Sequence, residues 1–249
     1  MRTLAKEIFI CLDCETTGLE ASTDRIIEIA AVKFTFEKEL GRFETLVDPE
    51  TPIPPSSQEI HHISDEMVKN KPKIAAVLPD FFKFLDRHPI IGHSIQFDLN
   101  ILNQEALRAR LSSPLENPVS IDTLRLARLY GESPINSLQM LREHFHIEPE
   151  GAHRAMSDVT VNIAVFKKLS QKFKTLKELL ERLQKPILMQ CMPLGKHKGR
   201  KFKEIPTDYL EWAIRKDFDL DLIFSIRTEL KKRSANKNFH QASNPFGEL

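Results

Sequence analysis

An α/β domain followed by a small basic module is the fold that the sequence predicts. Apolar runs rich in β-forming residues alternate with amphipathic stretches at helical spacing over about the first 175 residues. At 249 residues, with 41% hydrophobic side chains, the chain has enough apolar material for one sizeable core and an appendage. The net charge is only +1, yet residues 185–249 carry 13 Lys and Arg against 8 Asp and Glu, so the basic character is local.

The predicted strands are short and apolar. They comprise residues 8–14, 25–34, 43–47, 89–93 and 119–121, the last ending at Asp122. The stretch 8–12 is apolar throughout, which is typical of a central strand covered on both faces.

Amphipathic stretches between and after these strands predict the helices. The helices are expected to begin near residues 73, 98, 123, 137, 155 and 175. Pro79 indicates that the first of them begins near that residue or kinks there. The longest stretch, residues 155–173, is expected to pack across the sheet.

The composition changes after Lys185, which places a domain boundary near residues 175–190. We predict an α/β domain over residues 1–175 and a helical linker over 176–189. A small basic module follows over 190–232, and residues 233–249, which lack periodicity, are expected to form a flexible tail.

Composition also excludes several classes of protein. Three cysteines, an odd and sparse set, argue against a secreted disulfide scaffold and a thiolate zinc site. The two glycine-rich nucleotide-binding loops are absent, and no run of about 18 apolar residues occurs for a membrane span. We therefore expect a cytoplasmic protein with no membrane partner.

Two carboxylates interrupt the first apolar run. Asp13 and Glu15 lie two apart at the end of a predicted strand, so both point to the same face, just before the turn sequence TTG. Acids at a strand end often merely face water, but two like charges at the end of a buried strand are costly unless a cation lies between them. Their position therefore favours a functional pair.

Three further residues are expected to converge on this pair. Asp98 follows the fourth strand at a predicted helix start, where it serves as an N-cap or as a third carboxylate. His153 and Asp158 lie five apart at the start of the longest helix. Four carboxylates suit hard divalent cations such as Mg²⁺ or Mn²⁺, and a neutral imidazole can accept a proton at neutral pH.

Three segments carry a resemblance to a known family: DCETTG at residues 13–18, GHSIQFD at 92–98, and His153 with Asp158. In order and spacing they resemble the motifs of the DEDDh branch of DEDD 3′→5′ exonucleases, which includes the proofreading epsilon subunit of bacterial DNA polymerase III and exodeoxyribonuclease X. The resemblance covers about residues 6–172. Ser94 departs from it, because the family usually has Asn there, and we expect altered substrate contacts as a result.

The resemblance implies a ribonuclease H-like mixed five-stranded sheet flanked by helices. It implies that Asp13, Glu15, Asp98 and Asp158 hold two Mg²⁺ or Mn²⁺ ions and that His153 is the general base. Nucleoside 5′-monophosphates would leave from a 3′ end. The implied substrate-binding residues are Thr16, Thr17, Gly18, Leu19, His62, Ile63, Ser94 and Phe97, with Leu19 as an apolar wedge against the last base.

Residues 192–216 resemble a small module found at the C-terminus of exodeoxyribonuclease X-type proteins. Two glycines among closely spaced cations predict a tight basic turn or hairpin, followed by a helix from about Thr207 that bears Trp212. The aromatic residues equally suit the core of a small solvated module. For the turn we expect contact with a nucleic-acid backbone through Lys196, Lys198, Arg200, Lys201 and Lys203.

The leading hypothesis is a 3′→5′ exonuclease on single-stranded DNA or frayed DNA 3′ ends. An RNA-trimming exoribonuclease is an open alternative, because discrimination depends on pocket geometry around the sugar 2′ position. A proofreading subunit within a DNA polymerase or repair complex is another. A catalytically silent nucleic-acid-binding scaffold would be expected to lack one of the five site residues, and all five are present.

Overall fold

A five-stranded mixed sheet lies at the centre of the larger unit in the computed structural model, which describes residues 3–130, 135–148 and 154–242, with side chains to residue 235. In the described residues the strands are β1 (Phe9–Thr16), β2 (Ile26–Phe34), β3 (Glu39–Leu46), β4 (Ile90–Gly92) and β5 (Ser120–Asp122). Their order is β3-β2-β1-β4-β5, with β1, β4 and β5 parallel and β2 antiparallel to both β1 and β3. The predicted mixed sheet is confirmed.

Helices cover both faces of the sheet. They are α1 (Pro55–His61), α2 (Asp65–Val68), α3 (Ile74–Leu85), α4 (Gln96–Arg108), α5 (Thr123–Tyr130), α6 (Leu138–His144), α7 (Ala155–Leu169) and α8 (Leu176–Leu183). None of the helices in the described part of the chain is long and apolar enough to cross a membrane.

Alternation along β1 divides its side chains between two cores. Phe9 and Cys11 belong to the core beneath α7, where the ring of Phe166 lies 5.2 Å from that of Phe9. Ile10 and Leu12 belong to the core beneath α3 and α4. Because β1 is buried on both faces, a carboxylate on it can be stable only where the strand ends at the edge of the sheet.

Three local features differ from the sequence predictions. Helix α3 begins at Ile74 and contains Pro79, which is tolerated although its nitrogen cannot donate to the preceding turn. Strand β1 continues through Thr16. The short helices α1 and α2 were not predicted, because segments of 7 and 4 residues show too little periodicity.

The C-terminal module has its own small core. Its helices are α9 (Thr207–Ala213), which begins at the predicted residue, and α10 (Leu220–Ala242). The basic segment between Cys191 and Lys201 folds back on itself through an antiparallel bridge, and Gly195 and Gly199 adopt positive φ angles of 71° and 81°. The predicted hairpin-like turn is confirmed.

The expected tail is helical over much of its length. Helix α10 continues to Ala242, so the prediction of an irregular segment from residue 233 is wrong up to that residue, and residues 243–249 lie outside the described part of the chain. The segment 231–242 contains no Pro or Gly and is rich in helix-forming residues. Its polar residues give no apolar stripe, so periodicity could not reveal the helix.

Candidate active site

Three carboxylates meet where β1 ends beneath α7. Asp13 and Glu15 project from the same face of β1, and Asp158 lies in the first turn of α7. Each offers a carboxylate oxygen, and these oxygens all lie within 4.8 Å of one another. The sequence prediction that these three residues converge is confirmed.

Asp98 forms the fourth corner of this group. Helix α4 begins at Gln96, so Asp98 lies inside its first turn and is not the N-cap. The Asp98 side chain is 5% exposed, and its Oδ1 accepts a hydrogen bond from the backbone N–H of Cys14 at 2.9 Å. That contact holds a buried carboxylate against β1 between Asp13 and Glu15. We refer to Asp13, Glu15, Asp98 and Asp158 as the acid cluster.

Burial and mutual repulsion disfavour ionisation of the acid cluster. Burial raises the pKa of Asp13 well above its usual value, and the charges of Asp98 and Glu15 raise it further. Burial raises the pKa of Glu15 from 4.5 to about 7, with the charges of Asp158 and Glu28 adding to the effect. The pKa of Asp98 rises from 3.8 to about 7, mainly through burial. A cation bound among these oxygens would relieve this cost.

A buried ion pair beside the cluster was missed by the sequence analysis. Glu28 pairs with Glu15 across β1 and β2, and its carboxylate accepts hydrogen bonds from Arg154 at 2.5–3.2 Å. The backbone N–H of Ala155 donates to the same carboxylate at 3.1 Å. Glu28 therefore fixes the start of α7, directly after His153, which itself lies outside the described residues.

The chemistry of the cluster suits divalent metal ions. Its donors are all carboxylate oxygens, which hard cations such as Mg²⁺ and Mn²⁺ prefer. Arg154 is the nearby cation, and its charge only partly offsets the effects that raise the pKa of Glu15. The acid cluster therefore fits the metal site expected from the sequence.

A comparison with known protein families shows which family this domain belongs to. The family model described as Exonuclease, RNase_T, matches residues 10–166, which include the whole acid cluster. The chain belongs to this exonuclease family. A second family model, described as a putative quorum-sensing-regulated virulence factor, matches residues 177–223 and so covers most of the C-terminal module.

Individual relatives agree with this assignment. The exonuclease is 37% identical over 162 residues to the DNA polymerase III subunit epsilon of Treponema pallidum (strain Nichols), covering 64% of this chain and 74% of that protein. It is 36% identical over 165 residues to a PolC-type DNA polymerase III of Caldanaerobacter subterraneus subsp. tengcongensis, covering 66% of this chain and 12% of that much longer protein. A solved structure of exonuclease X in complex with 5′-overhanging duplex DNA superposes with a TM-score of 0.57 and 25% identity, covering 71% of this chain and 99% of that one. The protein is thus a DEDD 3′→5′ exonuclease of the epsilon and exonuclease X type with a ribonuclease H-like fold.

The turn after β1 places an apolar side chain in solvent beside the exonuclease site. Thr16 donates its hydroxyl to the carbonyl of Gly18 at 2.6 Å, and Thr17 donates to Asp24 at 3.1 Å, so both hydroxyls are engaged within the turn. A Cβ at Gly18 would lie 2.5 Å from the carboxylate of Asp24, so a larger residue there would require that side chain to move away from Thr17. Leu19 is 88% exposed, as a wedge against a base requires.

The segment after α1 has one of the expected substrate-binding residues in a core. Ile63 is fully buried in a small core with Ile27 and Val68, so its side chain does not face solvent, and its place in the substrate pocket stays a prediction. His62 ends α1 in the left-handed conformation, with φ of 58°. The buried imidazole of this segment is that of His61, whose pKa is lowered by burial and which lies within electrostatic range of Glu28.

Ser94 and Phe97 flank the entry to α4. Ser94 has a left-handed backbone, with φ of 64°, and its N–H donates to Asp122 at 3.0 Å. Asn tolerates this conformation better than most residues, which gives a physical reason for the usual family residue. Phe97 is half-buried beside Asp98 and packs on the core beneath α3 and α4.

Two further acids and one thiol have structural roles. Asp122 accepts the N–H of Leu124 at 2.9 Å at the start of α5, and Asp48 accepts the N–H of Glu50 at 2.9 Å in a turn. Cys14 is a buried free thiol on the opposite face of β1 from Asp13, and burial raises its pKa.

Proposed function

We propose that this exonuclease removes nucleoside 5′-monophosphates from single-stranded or frayed DNA 3′ ends with two bound Mg²⁺ or Mn²⁺ ions. The observation that carries the proposal is the acid cluster, in which burial and repulsion between the carboxylates raise the pKa values of Asp13 and Glu15. The exonuclease X structure, which contains DNA, supports DNA as the substrate class.

The acid cluster residues Asp13, Glu15, Asp98 and Asp158 would hold the metal ions. Such ions polarise the scissile phosphodiester and stabilise the entering and leaving oxygens of an in-line displacement. The exposed Leu19 would contact the terminal base, and the backbone of the Thr16–Gly18 turn would lie against its sugar. In the overall reaction the oxygen of water bonds to phosphorus and the P–O3′ bond breaks. The released O3′ takes up a proton, so the shortened strand ends in a 3′-hydroxyl.

His153 is the proposed general base that accepts a proton from the attacking water. Its support is its place in the sequence five residues before Asp158, whose carboxylate lies within the acid cluster. We expect His153→Ala to lower kcat by about 10²-fold or more while Mg²⁺ binding persists. The pH–rate profile should lose the limb that titrates near 6.5, and a profile that keeps this limb would exclude His153 as the base.

The decisive experiment is a time course on matched 5′-labelled single-stranded DNA and RNA with Mg²⁺ or Mn²⁺. We expect a descending ladder of products that disappears with EDTA and in Asp13→Ala, and that forms faster on DNA. A faster ladder on RNA would support the exoribonuclease alternative. Undiminished hydrolysis by Asp13→Ala would contradict the metal assignment.

A proofreading role within a DNA polymerase is the second candidate. Its support is the 37% identity to a DNA polymerase III subunit epsilon. Activity of the isolated chain on a 3′-mismatched duplex that rises on addition of a polymerase would favour this role. Activity that is complete without a polymerase would favour an independent enzyme.

A further inference from the structure

The C-terminal module is attached to the exonuclease domain through one buried carboxylate. Asp221, near the start of α10, accepts two hydrogen bonds at 2.9 Å from Arg125 on α5 and one at 3.3 Å from Arg128. Arg125 also donates to the carbonyl oxygens of Leu183 and Lys185. These contacts fix the basic turn of the module relative to the sheet.

A cleft of about 470 Å³ lies between the two units. Its walls include His93, Ser94 and Leu124 of the exonuclease domain and Gln190, Lys198 and Lys201 of the module. A second depression, of about 350 Å³, adjoins it on the module and shares Gln190 and Lys201 with it. We refer to the cleft and the adjoining depression together as the groove.

The groove begins beside the acid cluster. Strands β1 and β4 are parallel neighbours, with Cys11 level with Ile91, so the same register places Asp13 beside His93, which lines the cleft. Asp13 lies near the carboxyl end of β1, and Ser94 follows β4 and lines the cleft. Helix α5, which forms a wall of the cleft, contacts α7 through a 2.6 Å hydrogen bond from Thr123 to Asn162. The cleft and the acid cluster therefore lie on the same face of the sheet.

Lysines line the groove along its length. Lys198 and Lys201 face the cleft, and Lys201, Lys203 and Lys232 face the adjoining depression. All four side chains are exposed, and none forms an ion pair with a carboxylate among the described residues. Glu229, the acid in the depression, is already paired with Arg233 at 2.9 Å.

The other two cations of the basic turn do not line the groove. The ammonium group of Lys196 lies 4.9 Å from the centre of the Tyr209 ring, and Lys196 lines neither part of the groove. Arg200 donates to the carbonyl oxygen of Glu204 at 3.3 Å. The five cations predicted as one set by the sequence therefore divide into three that line the groove and two that do not.

We propose that this groove binds the phosphates of the single strand on the 5′ side of its terminal nucleotide. This proposal rests on the proposed function. The acid cluster repels the phosphates of an incoming strand, and ammonium groups on the adjoining groove offset that repulsion and hold the backbone without regard to sequence. The module thereby extends the substrate site away from the reacting bond.

The test compares two double variants that remove equal charge. Lys198→Ala/Lys201→Ala removes cations of the groove, and Arg215→Ala/Lys216→Ala removes exposed cations outside it, Lys216 lying over the ring of Trp212. Binding of a labelled single-stranded DNA 20-mer is measured by anisotropy in EDTA over a salt series. Hydrolysis of the p-nitrophenyl ester of thymidine 5′-monophosphate, which is too short to reach the groove, is measured with Mg²⁺ or Mn²⁺.

We expect the groove variant to bind DNA about tenfold more weakly and to lower the slope of log K against log salt by about 1.4, or 0.7 for each lost phosphate contact. The control pair should change the affinity by less than about twofold, because its cations do not line the groove. Neither pair should alter hydrolysis of the short ester. Equal losses of affinity in both pairs, or no loss in the groove variant, would overturn the proposal that the groove binds phosphates. Failure of the wild-type protein to cleave the ester or DNA would overturn the proposed function instead.

Discussion

Two buried carboxylates, Asp98 in the acid cluster and Asp221 in the module interface, have opposite electrostatic surroundings. Asp221 is 1% exposed and is bound by two arginines and by the N–H of Ile187, so hydrogen bonds lower its pKa even though burial by itself raises it. Asp98 is 5% exposed and accepts the N–H of Cys14, but no side-chain cation pairs with it among the described residues. Burial raises its pKa to about 7.

The difference separates a buried carboxylate paired with arginines from one that has no paired side-chain cation among the described residues. At the interface, the protein supplies the cations that a buried carboxylate requires, and the result is a fixed contact between two units. In the acid cluster, burial and mutual repulsion raise the pKa values of Asp13, Glu15 and Asp98, and a bound cation would offset this effect. Raised pKa values grouped at one end of a strand are typical of a functional site.

The largest expected effect is the response of the folded protein to pH when metal is removed. The pKa values of Glu15 and Asp98 are raised in the folded protein, so stability is full below pH 4 and is lost as the pH rises through about 7. A pKa change of one corresponds to about 1.4 kcal/mol, so the rises from 4.5 and 3.8 to about 7 together make the loss on the order of 8 kcal/mol. Added Mg²⁺ should restore most of it, because metal binds the ionised carboxylates.

Urea denaturation from pH 4.5 to pH 8, in EDTA and in Mg²⁺, measures this effect. Asp13→Asn removes one repelling charge and is the matched variant. We expect it to be more stable than the wild-type protein at pH 8 in EDTA and less responsive to Mg²⁺. A stability that does not change with pH in EDTA would contradict the description of the cluster.

Local patterns were sufficient to predict the centre of the exonuclease site. Alternation along a strand fixes the common face of Asp13 and Glu15, and the order of motifs brings Asp158 to that face. Ile63 was expected in the substrate pocket from the family resemblance alone, and a left-handed residue directly precedes its buried side chain, a feature that spacing within a motif does not encode.

No local sequence pattern predicted the long-range ion pairs. Glu28 and Arg154 are 126 residues apart in the sequence, and Arg125 and Asp221 are 96 apart. Any of the chain's many acids and bases could have formed such pairs, and the tertiary structure determines which of them do. The sequence therefore did not indicate which residues join the module to the exonuclease domain.

A smaller effect, about 3 kcal/mol, is expected from Asp221→Asn, which leaves two arginines beside an uncharged amide in a buried interface. Asp219→Asn is the matched control, because its half-exposed carboxylate also pairs with Arg128 and an Asn can still accept the N–H groups at the start of α10. The control should cost less than about 1 kcal/mol in urea denaturation. Equal costs for the two variants would show that the interface carboxylate is no better compensated than a surface one, and the contrast with the acid cluster would then fail.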